Sequence, residues 1–271
     1  MDRDQLIETV RALAAADERV LALFLGGSLG QGLGDAYSDA DFIVVVEPAA
    51  QAAFADGAQD WLAGGLDLVH WYRPYPNLPL FASVTAEWLR ADLTVTVPGM
   101  VHGAKDRLKP LYDPGALYEA LPDRLAPRAA DPEKIEAMVR EFLRILGLLH
   151  VAVGREEWAV SVTGTGMLRN HLIALMVEQL DLPHPPGALH LKRLLSPEDV
   201  DLVTSLPVAE ANRDSIVSTN FAYARLFLPR ARALAERVGA AWPAAFEAAT
   251  RARLKRDLGA DWDGPALGVV R

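Results

Sequence analysis

The sequence contains no cysteine, which removes disulfide frameworks, thiolate zinc sites and thiol nucleophiles together and fits a reducing compartment. No apolar run approaches the roughly 18 residues that a membrane-spanning helix needs. The opening MDRDQLIETVRAL is charged and amphipathic rather than basic followed by apolar, unlike a secretory leader. These absences set the expectation of a soluble, cytoplasmic protein. Basic residues are outnumbered: 27 Lys and Arg against 36 Asp and Glu leave a formal charge of −9. Such a charge repels polyanions, which argues against a large nucleic-acid footprint and favours a cationic or metal-accompanied small substrate. What remains is a chain of 271 residues, 51% of them hydrophobic, long enough for one large domain or two ordinary ones.

The patterning changes near position 127. Before it, short apolar runs alternate with helical segments. Leu6, Ile7, Val10 and Leu13 make the stripe of an amphipathic helix. Buried strands are expected in RVLALFLGG (19–27) and in DFIVVV (41–46), the latter stopped by Pro48. A helix closed by glycines is expected over 49–65, a third strand in LDLVHWYRP (66–74), and a fourth from Arg90 to Val97. After PDRLAPRAADP (122–132), the candidate linker, helical periodicity dominates. Asp131 is the expected cap of the first of these helices, with Pro132 and Glu133 suited to its first turn. Further helices are expected over 161–180, 196–206, 212–239 and 243–259. The reading is α+β: a mixed sheet with flanking helices in domain 1–126, and an all-α bundle of about four or five helices in domain 127–271.

The segment that carries chemistry is FLGGSLGQGLGDAYSDADFIVVV, residues 24–46. A P-loop would need Lys then Ser or Thr after its last glycine, but Leu33 and Asp35 follow Gly32 and Gly34. A dinucleotide fingerprint counted from Gly30 and Gly32 would need glycine at 35, where Asp35 stands. A calcium loop of the EF type starting at Asp39 would need an oxygen ligand at 43 and glycine at 44, where Ile43 and Val44 stand. What is left is a Gly-Ser turn after one strand and Asp39-Ala40-Asp41 opening the next. Side chains at i and i+2 of a strand share a face, so Asp39 and Asp41 present two carboxylates side by side. Such a pair is costly unless one is protonated or a cation lies between them, and Mg²⁺ with substrate phosphates is the natural partner. Gly26 and Gly27 let the backbone approach an anion closely, and the N–H groups and hydroxyl of Ser28, opening a helix, can hold terminal phosphates. The bland alternatives are an ordinary turn and a capped, solvated strand end.

These residues resemble the signature of the DNA polymerase β-like nucleotidyltransferase superfamily, a Gly-Ser turn followed some ten residues later by Asp-x-Asp and a hydrophobic strand. The resemblance covers roughly residues 20–100, and the chain length and helical second half are most similar to the aminoglycoside and lincosamide nucleotidyltransferase group. RLKPLYDP (107–114) resembles the exit segment of those enzymes. The resemblance implies a third acidic residue on a later strand, matched here by Asp92 in LRADLTVTV, with Asp67 on the preceding strand as a rival. It further implies two Mg²⁺ ions held by Asp39, Asp41 and Asp92, ATP or another nucleoside triphosphate as co-substrate, and transfer of a nucleoside monophosphate, AMP by expectation, to a hydroxyl of a small acceptor bound between the two domains. An antibiotic such as an aminoglycoside or lincosamide is such an acceptor. Gly27 and Ser28 are the expected phosphate contacts. Glu87, just before the Asp92 strand, is a candidate general base or a solvated glutamate. In MLRNHLIALM, Arg169 is a candidate phosphate contact and His171 an acceptor contact or a satisfied structural histidine. HWYRPY is a possible cleft lining, and RARLKR (251–256) reads as a solvated helix face. Two other readings stay open: a regulator that adenylylates a partner protein, as antitoxins do, and a silent nucleotide binder.

Overall fold

The computed structural model describes residues 1–183 and 190–263. The chain divides into two compact units, Met1–Ala126 and Pro127–Arg271. In the first, α1 (Arg3–Ala16) is capped by Asp2, whose side chain accepts from the Gln5 N–H while Gln5 reaches back to the Asp2 N–H. There follow β1 (Val20–Leu25), the single turn α2 (Gly27–Gly30), β2 (Ala40–Val46), α3 (Gln51–Asp56), α4 (Ala58–Ala63), β3 (Leu68–Tyr72), β4 (Leu80–Thr85), β5 (Ala91–Thr96) and β6 (Lys109–Tyr112). The sheet order is β3-β4-β5-β2-β1-β6, with β2 and β5 parallel and the other pairs antiparallel. The unit is therefore α+β with a mixed six-stranded sheet.

Alternation along the strands sorts side chains onto two faces. Ala40, Phe42, Val44 and Val46 of β2 and Leu93 and Val95 of β5 join the apolar stripe of α1 (Leu6, Val10, Ala14) and residues of α3 and α4 in the larger core. Ala22, Phe24 and Val45 face the other way and pack with Leu108 in a smaller cluster. Asp41 alternates with the core residues Ala40, Phe42 and Val44 of β2, and Asp92 with Ala91, Leu93 and Val95 of β5, so both lie off the helix-covered face. The apolar run of β2 thus specifies where its carboxylate points, since a slip of one residue would bury Asp41 under α1.

Three local expectations need correction. The helix over 49–65 is broken at Gly57 into α3 and α4. The strand expected from Arg90 to Val97 is β5, but β4 precedes it as an unanticipated antiparallel partner, joined by a tight turn in which Trp88 adopts φ 64°. No glycine or proline marks that turn, so composition did not betray it. The short strand β6 also went unread.

The second unit is helical: α5 (Pro132–Gly147), α6 (Leu149–Gly154), α7 (Trp158–Glu178), α8 (Leu191–Leu194), α9 (Pro197–Ser205), α10 (Arg213–Val238) and α11 (Ala244–Leu258). Asp131 caps α5 by accepting from the Glu133 N–H at 3.0 Å, and Pro132 occupies its first turn. Asn212 caps α10, and Gly239 ends it in the left-handed region. One core joins these helices, with Phe142 and Phe227 stacked at 3.8 Å between centroids. Among the described residues no helix is long and apolar enough to cross a membrane.

Candidate active site

Parallel pairing of β2 with β5 places Asp41 opposite Asp92 in register. Asp39 lies two residues before Asp41, and the Ala40 N–H donates to Arg90 O at 3.1 Å, which extends the ladder to the mouth of the strand pair. One carboxylate oxygen from each of Asp39, Asp41 and Asp92 lies within 4.8 Å of the others. Three acidic side chains from two strands are thereby gathered at one end of the sheet. Arg90 supplies a countercharge, its Nη1 lying 3.0 Å from Asp39 Oδ2.

The electrostatic consequence is carried by the inner two. Burial, then the charges of Asp39 and Asp92, push the Asp41 carboxyl up to about 6 from its ordinary 3.8, with Arg90 opposing. Burial and Asp39 also raise Asp92, against the Ser83 N–H and Arg90, which favour its ionised form. Asp41 and Asp92 are half-buried carboxyls that resist ionising together. An all-oxygen, multiply anionic donor set of this kind suits a hard divalent cation such as Mg²⁺, and ion binding would remove the repulsion that holds protons on the pair.

The Gly-Ser turn is pressed against this cluster. The Gly26 N–H donates to Asp41 O at 2.7 Å, continuing the β1–β2 ladder one residue beyond β1. Gly27 has φ 55°, and a Cβ built there would lie 1.8 Å from Asp41 Oδ2, so both backbone conformation and space demand glycine. At Gly30 a Cβ would meet Leu25 O at 2.3 Å and Arg107 O at 2.6 Å. The Ser28 hydroxyl donates to Ser38 Oγ at 2.8 Å, and Ser38 Oγ donates to Asp35 Oδ1 at 3.1 Å while accepting from the Asp35 N–H at 2.9 Å. Asp35 also accepts from the Tyr37 N–H at 3.0 Å, and Arg3 donates to Asp35 O. Asp35 thus ties the second half of the glycine loop back to Ser28.

The other candidates have contacts of their own. Glu87 is exposed and paired with the amino terminus of Met1 at 3.2 Å, outside the carboxylate cluster. Asp67 is exposed and also outside it. Arg169 sits on α7 in the second unit, where Nη2 donates to Val203 O at 3.0 Å and steadies the end of α9. His171, on the same helix, has its imidazole pushed toward neutrality by burial against the opposing charge of Glu141. From HWYRPY, Trp71 stacks on Phe81 at 4.8 Å while Tyr72 and Tyr75 are exposed. The residues that sequence reasoning did not single out are Arg90, Ser38 and Ser83. Arg90 was signalled only by its position two residues before Asp92, Ser38 only by its place beside Asp39, and Ser83, on β4, by nothing in the local sequence.

No protein-family model matches the sequence, and no curated protein matches it. Among solved structures, the chain is similar to an aminoglycoside 6-adenyltransferase from Bacillus subtilis, at 14% identity over 93% of this chain and 98% of that one, with a TM-score of 0.45.

Proposed function

We propose that the chain is a divalent-metal-dependent nucleotidyltransferase that moves a nucleoside monophosphate, AMP from ATP in the first instance, onto a hydroxyl of a small acceptor. The observation that carries this reading is the convergence of Asp39, Asp41 and Asp92 within 4.8 Å, pressed against the Gly27–Ser28 turn. A carboxyl held near 6 by burial and then by the charges of Asp39 and Asp92 is an expensive arrangement for a structural strand end. It becomes favourable once a cation is present.

Asp39, Asp41 and Asp92 would hold the Mg²⁺ ions, which supply neutralisation of triphosphate charge and polarisation of the attacking hydroxyl. The chain does the positioning. N–H groups of Gly27, Ser28 and Leu29 head a turn without intrahelical acceptors and offer donors to the terminal phosphates. The absence of a Cβ at Gly27 keeps the Asp41 carboxylate in place beside that turn. Arg90 holds Asp39 and lowers the cost of ionising its neighbours. In the transfer itself the acceptor oxygen bonds to the α-phosphorus, the bond from that phosphorus to the bridging oxygen breaks, and pyrophosphate leaves with both electrons. Asp92, which stands opposite Asp41 in the cluster on the neighbouring strand, is the carboxylate we assign to take the hydroxyl proton. Net charge of −9 favours a cationic acceptor, an aminoglycoside being one chemical type.

The test is pyrophosphate release, screened over the four common nucleoside triphosphates and a panel of hydroxylated acceptors with Mg²⁺. Acceptor-dependent release that disappears in Asp41→Ala supports the assignment, and release that persists in that variant refutes it.

A further inference from the structure

In the helical unit a groove of about 420 Å³ opens where the end of α6, the start of α10 and the end of α11 meet. That volume lies in the range of ordinary small-ligand sites. Val151 and Val153 of α6 and Leu258 of α11 supply its apolar surface. Arg155, Arg213 and Arg253 stand around it against a single carboxylate, that of Asp257. The chain as a whole carries −9, so the lining of this groove has the opposite sign to the molecule.

Neighbouring groups use these arginines only in part. Arg253 Nε lies 2.6 Å from Asp257 Oδ2, and that carboxylate is shared with Arg256, whose Nε lies 3.2 Å from Oδ1. Arg213 donates to Leu258 O at 3.3 Å and pairs at 3.2 Å with Asp214, a carboxylate 89% exposed and therefore well screened. The guanidinium of Arg155 has no partner among the described residues. A guanidinium carries five N–H donors, so all three keep donors to spare. Like charges gathered around one concavity repel, and the arrangement becomes favourable when a multiply charged anion lies among them, phosphate and carboxylate being the groups that match the planar fork.

The placement of glycine at the end of α6 is a separate observation that points the same way. Helices commonly close on a glycine in the left-handed region. Here that position is Glu156, at φ 57°, and the turn is closed by the Glu157 N–H donating to Ala152 O at 2.9 Å. Glycine stands two residues earlier, at Gly154 on the groove, where φ is not positive and an added Cβ would meet no atom within 4 Å. Neither packing nor backbone conformation requires it there. What the missing side chain does achieve is an open groove beside Arg155.

We propose that this groove binds a small molecule bearing two anionic groups, phosphate or carboxylate, which Arg155, Arg213 and Arg253 hold while its carbon skeleton lies over Val151, Val153 and Leu258. A monoanion would leave part of the repulsion among the arginines in place, and a cation would add to it. The site lies on helices of the second unit and needs none of the acidic residues of the first, so it stands or falls separately from the transferase reading.

The experiment is methyl NMR on the full chain in EDTA, where the metal-free carboxylates of Asp39, Asp41 and Asp92 repel anions. Inorganic pyrophosphate and succinate are the two probes, and acetate at matched ionic strength is the monoanion control. The expected result is saturable shifts of the Val151, Val153 and Leu258 methyl groups with one probe or both, about tenfold or more tighter than acetate, weakening as salt is raised and retained in Asp41→Ala. The tighter probe identifies phosphate or carboxylate as the recognised group. Arg155→Gln should weaken binding about threefold to tenfold, the scale of one charge-assisted hydrogen bond at an exposed site. Gly154→Glu, which adds a carboxylate where the fold leaves room for one, should weaken it at least as much, with circular dichroism unchanged in both variants. Four results would overturn the proposal: no saturable shift with either probe, shifts that acetate reproduces at matched ionic strength, affinity unchanged in both groove variants, or binding lost in Asp41→Ala.

Discussion

Asp41 of β2 and Asp92 of β5 are register partners across the parallel strand pair of the sheet, on the face opposite its helices. Burial and mutual repulsion hold Asp41 at about 6. The pair stores unfavourable electrostatic energy in the folded protein at neutral pH, and several measurable consequences come from that relationship.

Without divalent ions, the native state takes up a proton on Asp41 more readily than the unfolded chain, where the carboxyl returns to its ordinary 3.8. Its contribution to stability is therefore full below about 4 and is lost as pH rises through about 6. In EDTA, Asp41→Asn should be more stable than wild type at pH 7, by on the order of 1–3 kcal/mol or a few °C in midpoint. At pH 4 the difference should vanish. Thermal unfolding at both pH values checks this.

Gly27→Ala places a methyl group 1.8 Å from Asp41 Oδ2 at φ 55°, so the carboxylate has to move. We expect a cost to stability of about 1–2 kcal/mol from the left-handed backbone. Transfer activity should fall about 100-fold or more with circular dichroism unchanged, because displacement of a reacting-site group by about 1 Å costs that much. Activity near wild type would show that Asp41 need not lie where it does.

Arg90→Gln removes the cation 3.0 Å from Asp39, which now lowers both Asp41 and Asp92. In the metal-free variant the carboxyl titration of Asp41, followed by carbon NMR, should move above its wild-type midpoint of about 6. An unchanged titration would show that the ion pair is too well screened to matter.

Ser38→Ala cuts the link from Ser28 Oγ through Ser38 Oγ to Asp35 Oδ1. Since the loop orders Ser28 rather than the carboxylates, KM for the nucleotide should rise about two- to tenfold while kcat changes less, the scale of one net hydrogen bond. Steady-state kinetics over nucleotide concentration separates the two.

The cluster was readable in sequence as far as local periodicity reaches. Asp39 and Asp41 share a face because strands repeat every two residues, and the apolar DFIVVV run makes the strand. The partnership of Asp92 with Asp41 depends on parallel pairing between strands about fifty residues apart, which no local pattern encodes; it was anticipated by family resemblance, and the structure brings those two together. Glu87 and Arg169 show the opposite case. Proximity in sequence drew attention to Glu87, yet the Met1 amine takes its carboxylate, and Arg169 is used by the α9 end. Arg90 and Ser38 matter through contacts across strands and loops, so their chemistry appears only once the chain is folded. The strand β4 was hidden by a turn built on Trp88, with none of the residues that mark turns.

Binding of Mn²⁺, as a spectroscopic stand-in for Mg²⁺, in the presence and absence of a non-hydrolysable ATP analogue tests the central claim most directly. Electron paramagnetic resonance on the wild type should show Mn²⁺ bound with the analogue, and that signal should be lost in Asp41→Asn and in Asp92→Asn while the fold is kept. Analogue binding of equal strength without metal, or a Mn²⁺ signal unchanged in both variants, would contradict the assignment of the three carboxylates.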